Sequence, residues 1–137
     1  MELGHELGPR QRAGLQVDDV ARYVQTADIA EPLFTEPALA RALGYRGVVV
    51  PGPMLAAFLE QFVRSELAGW RLERLSTTFR VPTIAGDPLI LHGVVTEHHV
   101  TADGERIVCD LLLEHADGER AVTGTATLGR MRGALKS

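Results

Sequence analysis

The chain has 137 residues, of which 45% are hydrophobic and 23% are charged, and this composition is typical of one soluble globular domain. A formal net charge of −4 without a basic stripe argues against a nucleic-acid-binding surface. The single cysteine, Cys109, excludes an internal disulfide and a multi-cysteine metal site, and it suits a reducing compartment. Because no apolar run reaches the ~18 residues of a membrane-spanning helix, we expect a cytoplasmic protein with no membrane partner.

Three helices are predicted in the first half of the chain. Asp18 and Asp19 stand in the first turn of the first helix, where the helix dipole favours negative charge. Gly44 follows the second helix and is a candidate left-handed cap. The three helices span, in order, Val17–Ala27, Pro37–Leu43 and Pro53 to about Ala68.

The third helix is unusually apolar. Pro53 suits its first position, because a proline there loses no helical hydrogen bond. Its apolar side chains recur at spacings of three and four, which predicts a broad stripe that another element must cover. They are Met54, Leu55, Phe58, Leu59, Phe62, Val63 and Leu67.

After Gly69 the apolar period changes from about 3.6 to 2, which indicates strands. Two turns contain Asp-Gly, at Asp103-Gly104 and Asp117-Gly118, and such turns are typical of hairpins. An antiparallel meander is therefore predicted. Its strands span Leu75–Val81, Leu89–His99, Arg106–His115 and Glu119–Arg130.

Helices followed by strands predict one α+β domain over residues 1–137, with a helix lying across a curved sheet. Residues 1–16 are expected to be irregular apart from a short strand near Gln11–Leu15. Residues 1–9 and 131–137 are expected to be flexible.

Four segments of the chain resemble the MaoC-like dehydratase family, which includes the (R)-specific enoyl-CoA hydratases. The segments are Val17–Tyr23, Glu31–Pro37, Gly44–Gly52 and Phe79–Asp87, and the resemblance extends over roughly residues 10–130. It implies a hot dog fold, in which a curved antiparallel sheet wraps a long central helix. It also implies a dimer, and a substrate bound as a thioester to coenzyme A or to an acyl carrier protein.

The sequence departs from this family in the catalytic loop. Family hydratases carry Tyr-x-x-x-Ser-Gly-Asp-x-Asn-Pro-x-His-x-Asp, whose Asp and His hold and deprotonate a water molecule. Alignment on Tyr23 and Pro32 needs no gap and places Ile29 at the Asp position and Phe34 at the His position. Neither side chain can transfer a proton, so hydration by the usual pair of residues is not expected.

The resemblance identifies other candidate residues at the same site. Glu31, Glu36 and Asp28 are the carboxylates at or beside the motif positions, and an apolar pocket can raise a carboxylate pKa into the range for proton transfer. The backbone N–H groups of Gly52 and Met54 are candidate donors to a thioester carbonyl. Candidate pocket-lining residues are Ile29, Phe34, Tyr23, Pro51 and Phe58.

The histidines show no metal-binding pattern. His98 and His99 are adjacent in a strand and face opposite sides of the sheet, whereas the period of two places His92 on the face of His98. We predict no metal site and no cofactor.

Three functions remain open at this stage. The first is an enzyme derived from the dehydratase scaffold that dehydrates, isomerises or cyclises a fatty-acid or polyketide-type chain without the usual Asp and His. The second is a non-catalytic, substrate-binding subunit of a heterodimeric (R)-3-hydroxyacyl dehydratase, in which a related hot dog subunit supplies both residues. The third is a thioesterase that uses one carboxylate. The assembly is accordingly either a homodimer or a heterodimer.

Overall fold

The computed structural model describes residues 2–26 and 36–131, and it confirms the α+β prediction. Gly44 ends the second helix with a φ of +97°, as expected for a left-handed cap. The elements are β1 Glu6–Arg12, α1 Val17–Thr26, α2 Pro37–Ala42, α3 Gly52–Glu66, β2 Arg71–Phe79, β3 Leu89–Val100, β4 Gly104–His115 and β5 Arg120–Met131.

The long helix α3 lies across one face of a five-stranded sheet and contacts β1, β2, β4 and β5. The predicted apolar stripe forms the centre of the core, because Leu59, Phe62 and Val63 are at most 2% exposed. Alternate residues of β4, such as Ile107, Cys109 and Leu111, cover it from the sheet. Among the described helices, none is long and apolar enough to cross a membrane.

The sheet order differs from the predicted simple meander. Strands β3, β4 and β5 are neighbours as expected, but β2 pairs with β5 rather than with β3, giving the order β1-β3-β4-β5-β2. Short turns force β3, β4 and β5 to lie side by side. The longer connection after β2 instead carries the chain across to the start of β3, and this connection pairs with the segment before α3 through a bridge between Val49 and Ile84.

The first strand starts earlier than predicted. Strand β1 spans Glu6–Arg12 and pairs with β3 at the other edge of the sheet, so residues 6–9 belong to it rather than to a flexible start of the chain. Polar contacts with α3 hold this strand. Arg10 forms an ion pair of 2.6 Å with Glu66, and the Arg12 guanidinium lies 3.9 Å from the centre of the Phe58 ring.

The prediction that His92 and His98 share a face of the sheet is wrong. A bulge between Val95 and Glu97 adds one residue to β3 and reverses the alternation beyond it. His92 therefore pairs with Leu112 on the face away from α3, whereas His98 pairs with the fully buried Ile107 on the other face.

Cys109 is fully buried in β4, as the sequence predicts. Burial, assisted by the nearby Asp110 carboxylate, raises the pKa of the Cys109 thiol to about 11. The thiolate that reacts with electrophiles is thus disfavoured at neutral pH, and the side chain serves as a small apolar core group.

Candidate active site

The Gly52 N–H is the candidate backbone donor at the start of α3. Pro51 caps the helix in an extended conformation, with φ −59° and ψ 139°, and Pro53 has no N–H group. The N–H of Met54 is donated to the Pro51 carbonyl at 3.0 Å. Within the described ranges, no protein acceptor is found for the Gly52 N–H. A helix N-terminus carries partial positive charge, so this N–H is suited to an oxygen that gains negative charge.

A cavity of about 390 Å³ opens beside this donor. One wall is the segment before α3 and its first turn, and the other is the end of β2 with the residues after it. The lining is largely apolar and consists of Val49, Val50, Gly52, Leu55, Phe79, Arg80, Val81, Pro82 and Thr83. A larger cavity of about 570 Å³ lies on the opposite face of the sheet, beside β1, β3 and β4 and away from the α3 N-terminus.

The Phe79 ring packs closely against Gly52. A Cβ atom placed on Gly52 would lie 3.0 to 3.2 Å from three atoms of the Phe79 ring, closer than ordinary packing allows. Phe79 is 50% exposed although it is a large apolar residue, and it stands at the end of the edge strand β2. The ring thus lies at the edge of the cavity and covers the glycine.

Arg80 is the charged residue of the cavity lining. Its backbone N–H is donated to the Ala121 carbonyl at 2.8 Å, and its side-chain Nε is donated to the Thr123 hydroxyl at 3.3 Å. These bonds to β5 hold the arginine at the cavity while its side chain stays exposed.

A buried polar pair connects the cavity wall, through Thr83, to His115 at the end of β4. Thr83 is 1% exposed and His115 is 6% exposed, and the Thr83 Oγ1 and His115 Nε2 atoms are 2.9 Å apart. The other ring nitrogen, Nδ1, lies 3.1 Å from a carboxylate oxygen of Glu119. Both nitrogens of this buried imidazole therefore have partners.

The same hairpin contains a group of possible metal ligands. Ligand atoms of His115, Asp117 and Glu119 lie within 4.8 Å of one another. Hydrogen bonds already engage both His115 nitrogens, and Asp117 Oδ1 accepts the backbone N–H of Glu119 at 2.9 Å. These bonds form a hydrogen-bonded turn, and the absence of a metal site remains a prediction.

The structure describes only part of the site predicted from the sequence. Asp28, Ile29, Glu31 and Phe34 lie outside the described residues. Glu36 is exposed and precedes α2, with φ −113° and ψ 105° and no capping bond from its side chain.

The remaining predicted lining residues lie around α3. Tyr23 is half-buried and packs against the core, and Pro51 is buried next to Gly52. Phe58 is 7% exposed and packs beneath Arg12 of β1. The roles predicted for these residues remain predictions.

Sequence reasoning did not single out Phe79, Thr83 or His115 as site residues. One signal was present, because His115 continues the inward-facing series of Leu111 and Leu113 in β4. A histidine in such a series is buried and needs polar partners. The sequence does not reveal that Thr83 is one of them, since 32 residues separate the pair.

A long helix wrapped by an antiparallel sheet is the hot dog fold. The chain belongs to the family described as "FAS1-like, dehydratase domain region", which matches residues 2–124. No curated protein sequence matches it.

Several solved structures share the fold. The (R)-hydratase from A. caviae involved in PHA biosynthesis is 22% identical, with a TM-score of 0.81 over 93% of this chain and 96% of the hydratase. The MaoC-like dehydratase from Rhodospirillum rubrum is 18% identical, with a TM-score of 0.83 over 96% and 94% of the two chains. The C-terminally truncated HadBC (3R-hydroxyacyl-ACP dehydratase) complex from Mycobacterium tuberculosis is 21% identical, with a TM-score of 0.73 over 94% and 98%.

Proposed function

We propose that this protein binds an acyl thioester in the cavity beside Gly52 and converts the chain by a dehydratase-derived reaction. The observation that carries the proposal is the position of Gly52, which begins helix α3 and lines a largely apolar cavity of about 390 Å³. A thioester carbonyl needs a donor such as the Gly52 N–H when its oxygen becomes negative, and an apolar wall suits the acyl chain.

The chemistry proposed here does not use the family's Asp and His, because Ile29 and Phe34 occupy their positions in the alignment. Stabilisation of an enolate by Gly52 would favour loss or migration of groups next to the carbonyl, as in dehydration, isomerisation or cyclisation. Glu31 is the first candidate for the proton transfer, followed by Glu36 and Asp28.

The carrier of the acyl chain is coenzyme A or an acyl carrier protein. Both present a phosphate-bearing arm, and Arg80 at the cavity provides a cation for it. We propose a dimer in which β2, an edge strand with unpaired backbone groups, joins the sheet of a second subunit. Phe79, exposed at the end of this strand, would then be covered.

A second candidate function is a non-catalytic subunit that binds the chain while a related hot dog partner supplies the Asp and His. The apolar residues Ile29 and Phe34 favour this alternative, as does the shared fold with the HadBC complex. In that case the cavity would be retained for binding alone.

The test uses the purified protein with trans-2-enoyl and (3R)-3-hydroxyacyl chains, each as the coenzyme A ester and on a carrier protein. Calorimetry measures binding, and mass spectrometry of the intact chain detects loss of water, isomerisation, cyclisation or hydrolysis. The Glu31→Gln and Glu36→Gln variants separate chemistry from shape. A proton-transfer role predicts that kcat falls ~100-fold or more, whereas a shape role leaves it within about twofold.

Glu97→Gln is the matched control, because Glu97 is an exposed glutamate in β3 that pairs with His99 at the surface. Binding without conversion, followed by conversion once a hot dog subunit with an intact Asp-x-Asn-Pro-x-His motif is added, would establish the second function. If the protein neither binds nor converts any of these chains, with or without such a subunit, both proposals are wrong.

A further inference from the structure

The buried Thr83–His115 pair connects the cavity to the turn between β4 and β5. A carboxylate only accepts hydrogen bonds, so the 3.1 Å contact with Glu119 places a proton on His115 Nδ1. In the neutral imidazole, Nε2 is then an acceptor, and the Thr83 hydroxyl donates to it at 2.9 Å. The direction of both bonds follows from this chemistry.

The backbone around Thr83 holds the segment that leads into α3. The Thr83 carbonyl accepts the N–H of Val50 at 2.8 Å, and the N–H of Ala85 is donated to the Val48 carbonyl, also at 2.8 Å. With the bridge between Val49 and Ile84, these bonds form a short antiparallel ladder. Val50 is separated from Gly52 only by Pro51, so the ladder sets where α3 begins.

Thr83 is therefore the residue at which both walls of the cavity are attached. Its backbone fixes the wall that contains Val50 and Gly52, and it ends the wall that runs from Phe79. Its side chain joins this unit to the turn between β4 and β5, in which the His115 N–H is also donated to the Glu119 carbonyl at 2.8 Å.

We propose that His115 and Thr83 are positioning residues, which set the location of the Gly52 N–H relative to Phe79 across the cavity. Because Thr83 is 1% exposed and His115 is 6% exposed, their side chains act through the backbone ladder rather than by direct contact with the substrate. A displacement of the reacting groups by ~1 Å can reduce turnover ~100-fold. The effect on turnover rests on the proposed function, whereas the effect on the start of α3 does not.

Hydrogen exchange tests the inference in the full-length protein. In Thr83→Val, which keeps the shape of the side chain and removes the hydroxyl, we expect the Val50 amide and its neighbours in residues 48–54 to exchange at least ~10-fold faster. The central amides of β4 and β5 should exchange as in the wild type. Thr83→Ser retains the hydroxyl and should restore protection. Thr96→Val is the matched control, because Thr96 donates a comparable 3.2 Å bond to the Val108 carbonyl at an exposed site.

Kinetics supply the second readout. If the wild type turns over an acyl thioester, Thr83→Val should lower kcat ~10-fold or more with KM changed by less than about threefold, and Thr83→Ser should recover most of kcat. Glu119→Ala, at an exposed position that does not endanger folding, frees the imidazole to change tautomer and should accelerate exchange in residues 48–54 to a smaller extent.

Two results would overturn the inference. One is unchanged exchange of residues 48–54 in both Thr83→Val and Glu119→Ala. The other is acceleration spread equally over the whole sheet, which would assign the pair to general stability. A wild type that neither binds nor converts a thioester contradicts the proposed function, and the exchange measurement still decides the positioning role.

Discussion

The two ends of strand β4 carry polar groups of opposite character. At its start, Glu105 and Arg106 belong to a surface network, in which Arg106 pairs with Glu73 at 2.8 Å and Glu105 pairs with Arg130 at 3.0 Å. At its end, His115 is buried and bonds to the buried Thr83. The first cluster contains formal charges in contact with water, whereas the second encloses an imidazole and a hydroxyl in the protein interior.

We therefore expect the surface ion pairs to tolerate substitution and the buried Thr83–His115 pair not to tolerate it. Exposed ion pairs exchange water contacts for protein contacts with little net gain, and salt screens them. A buried hydrogen-bond partner, once removed, leaves the other partner without water to replace it. Burial of such a polar pair is costly, and the proposed role of Thr83 in holding the cavity wall accounts for it.

The largest effect on stability is expected from a substitution at the buried end of β4. His115→Leu fills a similar volume but leaves the Thr83 hydroxyl without an acceptor. We expect the free energy of unfolding to fall by about 1–3 kcal/mol, measured by urea denaturation. His115→Gln, whose amide oxygen reaches towards the position of Nε2, should recover part of this loss.

His99→Leu is the control, because His99 is an exposed histidine in β3 and pairs with Glu97 at 3.0 Å. Its replacement should change the unfolding free energy much less than His115→Leu. Equal losses at the two positions would remove the distinction between the buried and the exposed groups.

An intermediate effect is expected at Gly52, the residue that the buried pair is proposed to position. In Gly52→Ala the new Cβ atom meets the Phe79 ring at 3.0 to 3.2 Å, and the half-exposed ring can turn away. The fold should therefore persist, but the ring or the methyl group would intrude on the carbonyl site. We expect kcat/KM for the thioester to fall ~10-fold or more. The double variant Gly52→Ala, Phe79→Leu has more space beside the new methyl group and should recover part of the activity. Unchanged activity in the single variant Gly52→Ala would show that the thioester carbonyl binds elsewhere.

The apolar pattern predicts most of this fold because burial follows it directly. The stripe of α3 and the alternation in β3, β4 and β5 are both visible in the sequence, and the Asp-Gly turns fix which strands are neighbours. Strand β1 cannot be predicted in this way, because its sequence Glu-Leu-Gly-Pro-Arg-Gln-Arg shows no apolar alternation. Contacts between its arginines and α3 hold it in place. No sequence pattern indicates the bulge in β3 either, and this bulge places His92 and His98 on opposite faces of the sheet.

The site is less predictable because it is assembled from distant segments. Gly52 is recognisable from the Pro-Gly-Pro sequence at a helix start, in a chain that resembles a known family. Phe79 approaches it only because β2 crosses to the far side of β5, a pairing that local patterns do not encode. The Thr83–His115 bond likewise depends on where the connection after β2 returns to the sheet.

The smallest effect is expected from the exposed end of β4. Hydrogen bonds from Arg106 and then Arg71 hold the pKa of Glu73 at about 2, below its usual 4.5. A lowered carboxylate pKa stabilises the fold above pH 4.5, and this contribution disappears as the pH falls through about 2. Glu73→Gln should thus cause a small drop in the urea midpoint at pH 7, which shrinks in high salt and as the pH falls from 4.5 towards 2. A loss at pH 7 as large as that of His115→Leu would show that the surface network holds the sheet as firmly as the buried pair.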